Sequence, residues 1–229
     1  WPMLSKLMLL PVSIPAVSGF TTSLDNIGQV ENKGIELSVD YRSTIGPVNF
    51  RTNFNVSANR STILAIKGAN DMLWYGSFYG GYNVMKVGRP IGMIYGYRKL
   101  GIFNTQAEID AWAKQDGVIP GGMKFADTNG DGVVSYDTQD MVEIGNPNPD
   151  FIYAFSTNLT YKKLDFSLFM QGVQGNQIFN VVSRLLETAG GGGNQRAEMV
   201  NRWTQTNPSN SYISASRSQR LPQSDKFIE

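Results

Sequence analysis

Residues 34–42 read GIELSVDYR, residues 48–58 read VNFRTNFNVSA, and only STIGP separates them. In the first segment Ile35, Leu37, Val39 and Tyr41 alternate with Glu36, Ser38, Asp40 and Arg42. In the second, Val48, Phe50, Phe54, Val56 and Ala58 alternate with Asn49, Arg51, Asn53, Asn55 and Ser57, and only Thr52 interrupts the apolar series. Successive strand side chains point to opposite sides, so each segment is a ribbon with one apolar and one polar face. The short STIGP link joins them as a hairpin.

The same period recurs downstream. FIYAFSTNLTY (151–161) places Phe151, Tyr153, Phe155, Leu159 and Tyr161 on one face. After a bare Lys-Lys turn, LDFSLFMQG (164–172) aligns Leu164, Phe166, Leu168 and Met170, and Phe169 breaks the alternation. Alternation alone fits a soluble antiparallel sandwich. Strands of about 9–11 residues also suffice to cross a bilayer at a tilt. Aromatic residues end the apolar faces (Tyr41, Phe151, Tyr161), as in the girdles of membrane barrels, and tight turns alternate with long connections. Structureless loops of such length are uncommon in compact soluble domains. The expected fold is therefore all-β, a partial antiparallel transmembrane barrel with long extracellular loops carrying a short helix. Residues 1–58 would supply strands and the first hairpin, 59–150 an extracellular insertion, 151–173 a second hairpin, and 174–229 a loop leading to a further strand.

Composition narrows function. The chain has 229 residues, 41% hydrophobic and only 17% charged, with a net charge of +1. No basic run is present, so nucleic acid is not an expected partner. The absence of cysteine excludes disulfides and thiolate metal sites, and the absence of histidine removes the usual general base and zinc ligand. An enzyme is not expected. No apolar run is long enough for a transmembrane helix, which says nothing against a barrel. The proline-broken opening WPMLSKLMLLPVSIP reads as the end of an interrupted strand, without the features of a signal peptide.

Within 59–150, GMIYGYRKLGIF (92–103) reads as strand-like. Thr105 and Glu108 form a capping box before a short helix whose buried side would carry Ile109 and Trp112. IGNPNPDF (144–151) is held extended by its Asn-Pro pairs, and AGGGGNQ (189–195) is a connector. LWYGSFYGGY (73–82) offers Trp74, Tyr75, Phe78, Tyr79 and Tyr82 as substrate contacts, with ordinary loop packing the alternative. FADTNGDGVVSYDTQD (125–140) resembles a calcium loop, with Asp127, Asn129 and Asp131 at alternate positions, Gly132 at the turn and the Val133 carbonyl following. The twelfth position is Thr138, so Asp137 or Asp140 would have to close a structural calcium site. Solvated acids on Asn-Gly and Asp-Gly turns are the competing reading.

Taken in order, SGFTTSLDNIGQVENKGIEL, VGRPIGMIYGYRKLGIF, DTNGDGVV, IGNPNPDFIYAFSTNLTYKKLDFSLFMQGVQGNQIFN and SDKFIE resemble the C-terminal part of the SusC/RagA family, TonB-dependent outer-membrane transporters abundant in Bacteroidetes. The resemblance implies a location in the bacterial outer membrane and import of glycans or peptides through a plugged pore. It further implies a SusD-like surface lipoprotein as partner, contact with the lipid bilayer, and coupling to the TonB complex through N-terminal parts absent here. It also implies an equivalent acidic loop, which in this chain runs longer before IGNP. No plug, TonB box or signal peptide is found, so a fragment unable to transport by itself is expected. Two other readings stay open: a secreted, soluble carbohydrate-binding sandwich with a calcium clip, and a carboxylate-only glycoside hydrolase. The second needs two acids facing across a cleft, whereas these acids crowd one loop.

Overall fold

A computed structural model describes residues 3–13, 22–66, 72–78, 81–187, 194–209, 211–213 and 222–229. In chain order the strands are β1 (Met3–Ser13), β2 (Thr22–Ile45), β3 (Val48–Ile66), β4 (Met72–Phe78), β5 (Gly81–Lys86), β6 (Met93–Gly96) and β7 (Lys99–Ile102). Helix α1 (Gln106–Asp110) follows, then β8 (Lys114–Gln115), β9 (Met123–Phe125), β10 (Val133–Val134), β11 (Val142–Gly145), β12 (Phe151–Tyr161), β13 (Leu164–Gln174) and helix α2 (Val181–Glu187). The chain divides into two units, the first being Trp1–Leu73, Met85–Gly92 and Asn146–Gln177.

The first unit holds a five-stranded antiparallel sheet in the order β1-β2-β3-β12-β13. Its register turns the alternation within each strand into continuous rows across strands. One face carries Val39–Phe54–Phe155–Met170, Tyr41–Thr52–Thr157–Leu168, Ser43–Phe50–Leu159–Phe166 and Ile45–Val48–Tyr161–Leu164. The other carries Ser38–Asn55–Ala154–Gln171, Asp40–Asn53–Ser156–Phe169, Arg42–Arg51–Asn158–Ser167 and Thr44–Asn49–Thr160–Asp165. A one-residue slip would mix the two sets, so the pattern itself specifies the register. The apolar face is open: Ile35 is 78% exposed and Leu164 71%, with Leu37, Val39, Tyr41, Phe54, Phe166 and Met170 also exposed. A sandwich would cover such a face. Among the described residues no second sheet does, and the structure is that of a partial barrel wall.

Tight turns close one end of the sheet. Gly46 takes φ 58° ahead of Pro47, and Lys162 takes φ 55°, an uncommon conformation for a residue other than glycine. At the other end the strands run on beyond the expected hairpin. β3 continues to Ile66 and pairs with β2 as far back as Gly28, so the strand extends past residue 58. β1 is interrupted as expected, with register shifts at Ser5/Met8 and Met8/Leu9. Its Pro11 sits on an edge strand, where a missing amide is tolerated.

The second unit comprises Trp74–Val84, Met93–Gly145 and Ile178–Glu229. It is built on small sheets: β11-β6-β5-β4 antiparallel where paired, β7 with β9, and β8 parallel to β10. Its core joins Tyr97, Ile102, Met123, Phe125, Val134, Trp203, Ile213 and Phe227. The buried Gln115 amide stitches this core, donating to the Met123 carbonyl at 2.7 Å and accepting from Phe125 N at 3.2 Å. Residues 59–150 are thus a folded body rather than a bare loop. The helix is shorter than expected. Thr105 Oγ1 caps Glu108 N at 3.2 Å, while the Glu108 carboxylate accepts from Asn104 N and not from Thr105 N. α1 ends at Asp110 and buries nothing fully, because residues 114–115 leave to pair with β10. Trp112 lies past the helix, its indole donating to the Phe125 carbonyl at 3.1 Å with Lys124 Nζ 3.6 Å over its ring.

Candidate functional site

Three places carry chemistry: the polar face of the sheet, the acidic loop and the aromatic run. On the polar face, β2 and β3 place Arg42 directly opposite Arg51, an unfavourable pairing unless something neutralises it. Asp40 does so. Its carboxylate accepts from Arg42 Nε at 3.0 Å and from Arg51 at 3.1 and 3.3 Å. Neighbouring rows are bridged by Ser167 to Asn158 at 2.8 Å, Thr160 to Asp165 at 2.7 Å and Thr44 to Asn49 at 2.7 Å. This face is hydrated wall, in contrast to the apolar face behind it.

At the end away from the tight turns, still within the first unit, the polar face opens into a cavity of about 440 Å³. Asn32, Ser57, Asn59, Ser61 and Ile152 line it from the strands, and Ile91, Asn148, Pro149 and Phe151 complete it. Asn32 lies opposite Ser61, and Asn59 opposite Gly34, whose missing side chain leaves the hollow open. The Asn-Pro repeat supplies the far side: Asn148 Nδ2 donates to the Ile91 carbonyl at 2.8 Å and to Asn146 Oδ1 at 3.0 Å. Sequence reasoning missed these residues. Their alternation placed Ser57 on the polar face, but nothing local foretold that residues 91 and 148 return to it.

In the acidic loop, the structure brings Asp127, Asn129 and Asp131 together and turns their oxygens onto the backbone. Asp127 accepts from Gly130 N at 2.7 Å and Gly132 N at 2.8 Å, Asn129 from Asp131 N at 2.9 Å, and Asp131 from Val133 N at 2.8 Å. Gly130 and Gly132 take φ 75° and 84°, the conformation that lets the chain fold around Asp127. Val133 begins β10 directly after Gly132, whose carbonyl accepts from Lys114 N at 2.8 Å. Asp137 belongs to a separate exposed turn. The Ser135 hydroxyl at 2.6 Å and Gln139 N at 2.9 Å hold its carboxyl below the usual carboxylate value. Asp140 has no exposed surface and accepts from Thr128 N at 3.0 Å and Ser135 N at 2.8 Å. Of the two candidate closing acids, Asp140 alone touches the 127–131 segment. Among the described residues no three acidic side chains converge on one point as cation ligands.

The aromatic run lies on β4 and β5. Trp74 packs edge-on against Tyr95 at 5.7 Å, an ordinary packing role. Tyr75, Phe78 and Tyr82 sit on those strands, with side chains outside the described set, and Tyr79 lies outside the described residues.

No family model matches the chain. It is 37% identical over 204 residues to TonB-dependent receptor P26 of Formosa agariphila, covering 88% of this chain and 20% of that protein. It is 36% identical over 207 residues to TonB-dependent receptor P3 of the same organism, covering 87% of this chain and 20% of that protein. TonB-dependent receptor SusC of Bacteroides thetaiotaomicron is 24% identical over 178 residues, covering 75% and 17% respectively. Among solved structures, the RagAB peptide transporter superposes with a TM-score of 0.79 at 19% identity, covering 100% of this chain and 24% of that one. The chain therefore spans about a fifth of the length of the relatives it matches. With this likeness in sequence and a sheet apolar on one face and polar on the other, the chain belongs to the TonB-dependent receptors of the SusC/RagA kind and forms an arc of their barrel wall.

Proposed function

We infer that the parent protein imports oligosaccharides or peptides across the bacterial outer membrane, and that this chain contributes wall strands and external structure to its pore. The observation that carries the reading is the band of exposed apolar side chains on β2, β3, β12 and β13, backed by a polar face. In β12 and β13 the band occupies 11 residues each, about 25 Å of height at the usual barrel tilt. β1 and β13 each have one neighbour among the described residues, and an open strand edge in lipid leaves backbone groups unpaired. Further strands of the parent close it, so these five are not transport-competent by themselves. RagAB is titled a peptide transporter, and SusC is named a TonB-dependent receptor. By analogy the parent works with a SusD-like lipoprotein and draws on TonB through segments outside this chain, and it is not an enzyme. The test is an immunoblot of fractionated source cells with an antibody raised against residues 104–150. A heat-modifiable outer-membrane band several times the 25.3 kDa of this chain is expected. A soluble band near that mass would sink the reading.

Asp127, Asn129, Asp131, the Val133 carbonyl and Asp140 offer the oxygen donors a hard cation requires, and calcium bound here would act as a structural clip on the second unit. Its binding would require the carboxylates to exchange backbone N–H partners for the ion. The expected outcome is calcium uptake that disappears when Asp127→Ala and Asp131→Ala are combined. An unchanged titration in that double variant would remove the clip.

A further inference from the structure

We propose that the cavity lined by Asn32, Ser57 and Asn59 is a cargo subsite that takes an uncharged peptide segment through its main chain. The proposal rests on the import reading and adds a site and a ligand class to it.

The cavity lies wholly within the first unit, on the polar face, at the end where the strands outrun the bilayer-height band. A solute moving along the polar wall from that side meets it before the Asp40–Arg42–Arg51 cluster near the tight turns. Its lining contains no Asp, Glu, Lys or Arg, and Glu36, opposite Ser57, lines an adjoining hollow instead. Asn32, Ser57 and Asn59 sit half-buried to exposed and bring two amides and a hydroxyl to one space. An asparagine amide both donates and accepts, which matches the alternating N–H and C=O of a peptide main chain. Ile91, Pro149 and Ile152 give the same space an aliphatic side suited to apolar side chains. A saccharide site is less well matched. Sugar rings are commonly held on aromatic faces, and Phe151, the one aromatic in the lining, packs at 6.1 Å against Tyr153 of the apolar face. The absence of charge leaves nothing to select a terminus or an ionised side chain, so neutral interior segments are the ligand.

The test uses the full-length parent receptor purified from outer membranes in detergent, with a capped neutral tetrapeptide (acetyl-Ala-Leu-Ser-Ala-amide) and maltotetraose as probes in equilibrium dialysis. The tetrapeptide should bind. Combining Asn32→Ala with Asn59→Ala should weaken it about tenfold, the loss of two ordinary hydrogen bonds. Ser57→Phe, which fills the cavity, should weaken it at least as much, and Asn158→Ala, on the same face near the tight turns, should leave it unchanged. Heat-modifiable gel mobility identifies the variants that assemble, and the two cavity variants perturb the wall in opposite ways, so one failing to assemble leaves the other to decide. Tetrapeptide affinity unchanged in an assembled cavity variant, no tetrapeptide binding at all, or maltotetraose binding that the cavity variants abolish would each overturn the proposal. Deleting the parent gene tests the import reading separately. Growth on peptides or oligosaccharides that survives the deletion defeats the reading, whereas growth lost on deletion with affinity unmoved by cavity variants defeats only the subsite.

Discussion

Asp140 has no exposed surface, yet its two carboxylate oxygens tie Thr128 N to Ser135 N and Oγ, so one side chain closes both ends of the acidic loop. Asp140→Asn would present an amide where two backbone donors need an acceptor, at about 2–3 kcal/mol given the usual penalty for unsatisfied buried groups. Protease cleavage within 125–140 of the folded parent should rise accordingly, and unchanged resistance would show the contact to be dispensable. A second residue-scale test concerns Lys226. Its ammonium donates to the Glu187 carboxylate and lies 5.0 Å from the Tyr212 ring. Burial, with the Lys99 charge adding to it, outweighs that partner and brings Lys226 from 10.5 to about 8. A lysine whose pKa falls on folding holds fewer protons folded than unfolded between those two values. Its contribution to stability therefore improves as pH rises from about 8 toward 10.5, and is least favourable below 8. Protection of residues 178–229 against proteolysis should increase across that window, and Lys226→Met should flatten the dependence.

Among the elements, β6 shows how closely the second unit is packed. A Cβ added at Gly96 would lie 2.5 Å from the Gln223 carbonyl oxygen and 2.7 Å from Ile144 Cδ1. The first contact is backbone, and that same carbonyl accepts from Tyr97 N at 2.9 Å. Gly96→Ala should therefore push the 223–225 segment off β6, at about 1–3 kcal/mol, as overpacking generally costs. Amide exchange at Tyr97 and Asp225 should accelerate. Exchange rates matching wild type would show that the segment can shift without loss. The helix between Thr105 and Trp112 teaches a related point. Its N-terminal cap was legible because a Thr followed three residues later by Glu is a local device. Its early end was not, since a pairing with Val133–Val134 competes for Lys114–Gln115.

For the molecule as a whole, the decisive property is the two-sidedness of the first unit's sheet. If the apolar rows face lipid, a charge in their middle must be dragged out of hydrocarbon. Phe54→Arg and Phe166→Arg should each destabilise the parent barrel by about 2–4 kcal/mol near the bilayer midplane. Loss of the heat-modifiable band at lower temperature would register it. Variants at both positions that assembled and resisted heat like the wild type would reverse the assignment of faces.

Strand alternation, tight turns and the helix cap were readable from residues in order because each depends on neighbours a few positions apart. Ile35 to Tyr41 and Phe151 to Tyr161 carry their period in the sequence itself, and with it the two faces and the barrel-like class. Tertiary structure alone decided which residues share a place. The length of β3 past Ala58 depends on pairing with residues back to Gly28, and the folding of 59–150 depends on core partners as distant as Trp203 and Phe227. The cavity joins Asn32 to Asn148 across more than a hundred residues of chain, and Asp140 rather than Asp137 reaches Thr128. A periodic pattern records how a side chain stands to its own strand; which strands and turns then meet is a property of long-range packing, which no local pattern contains.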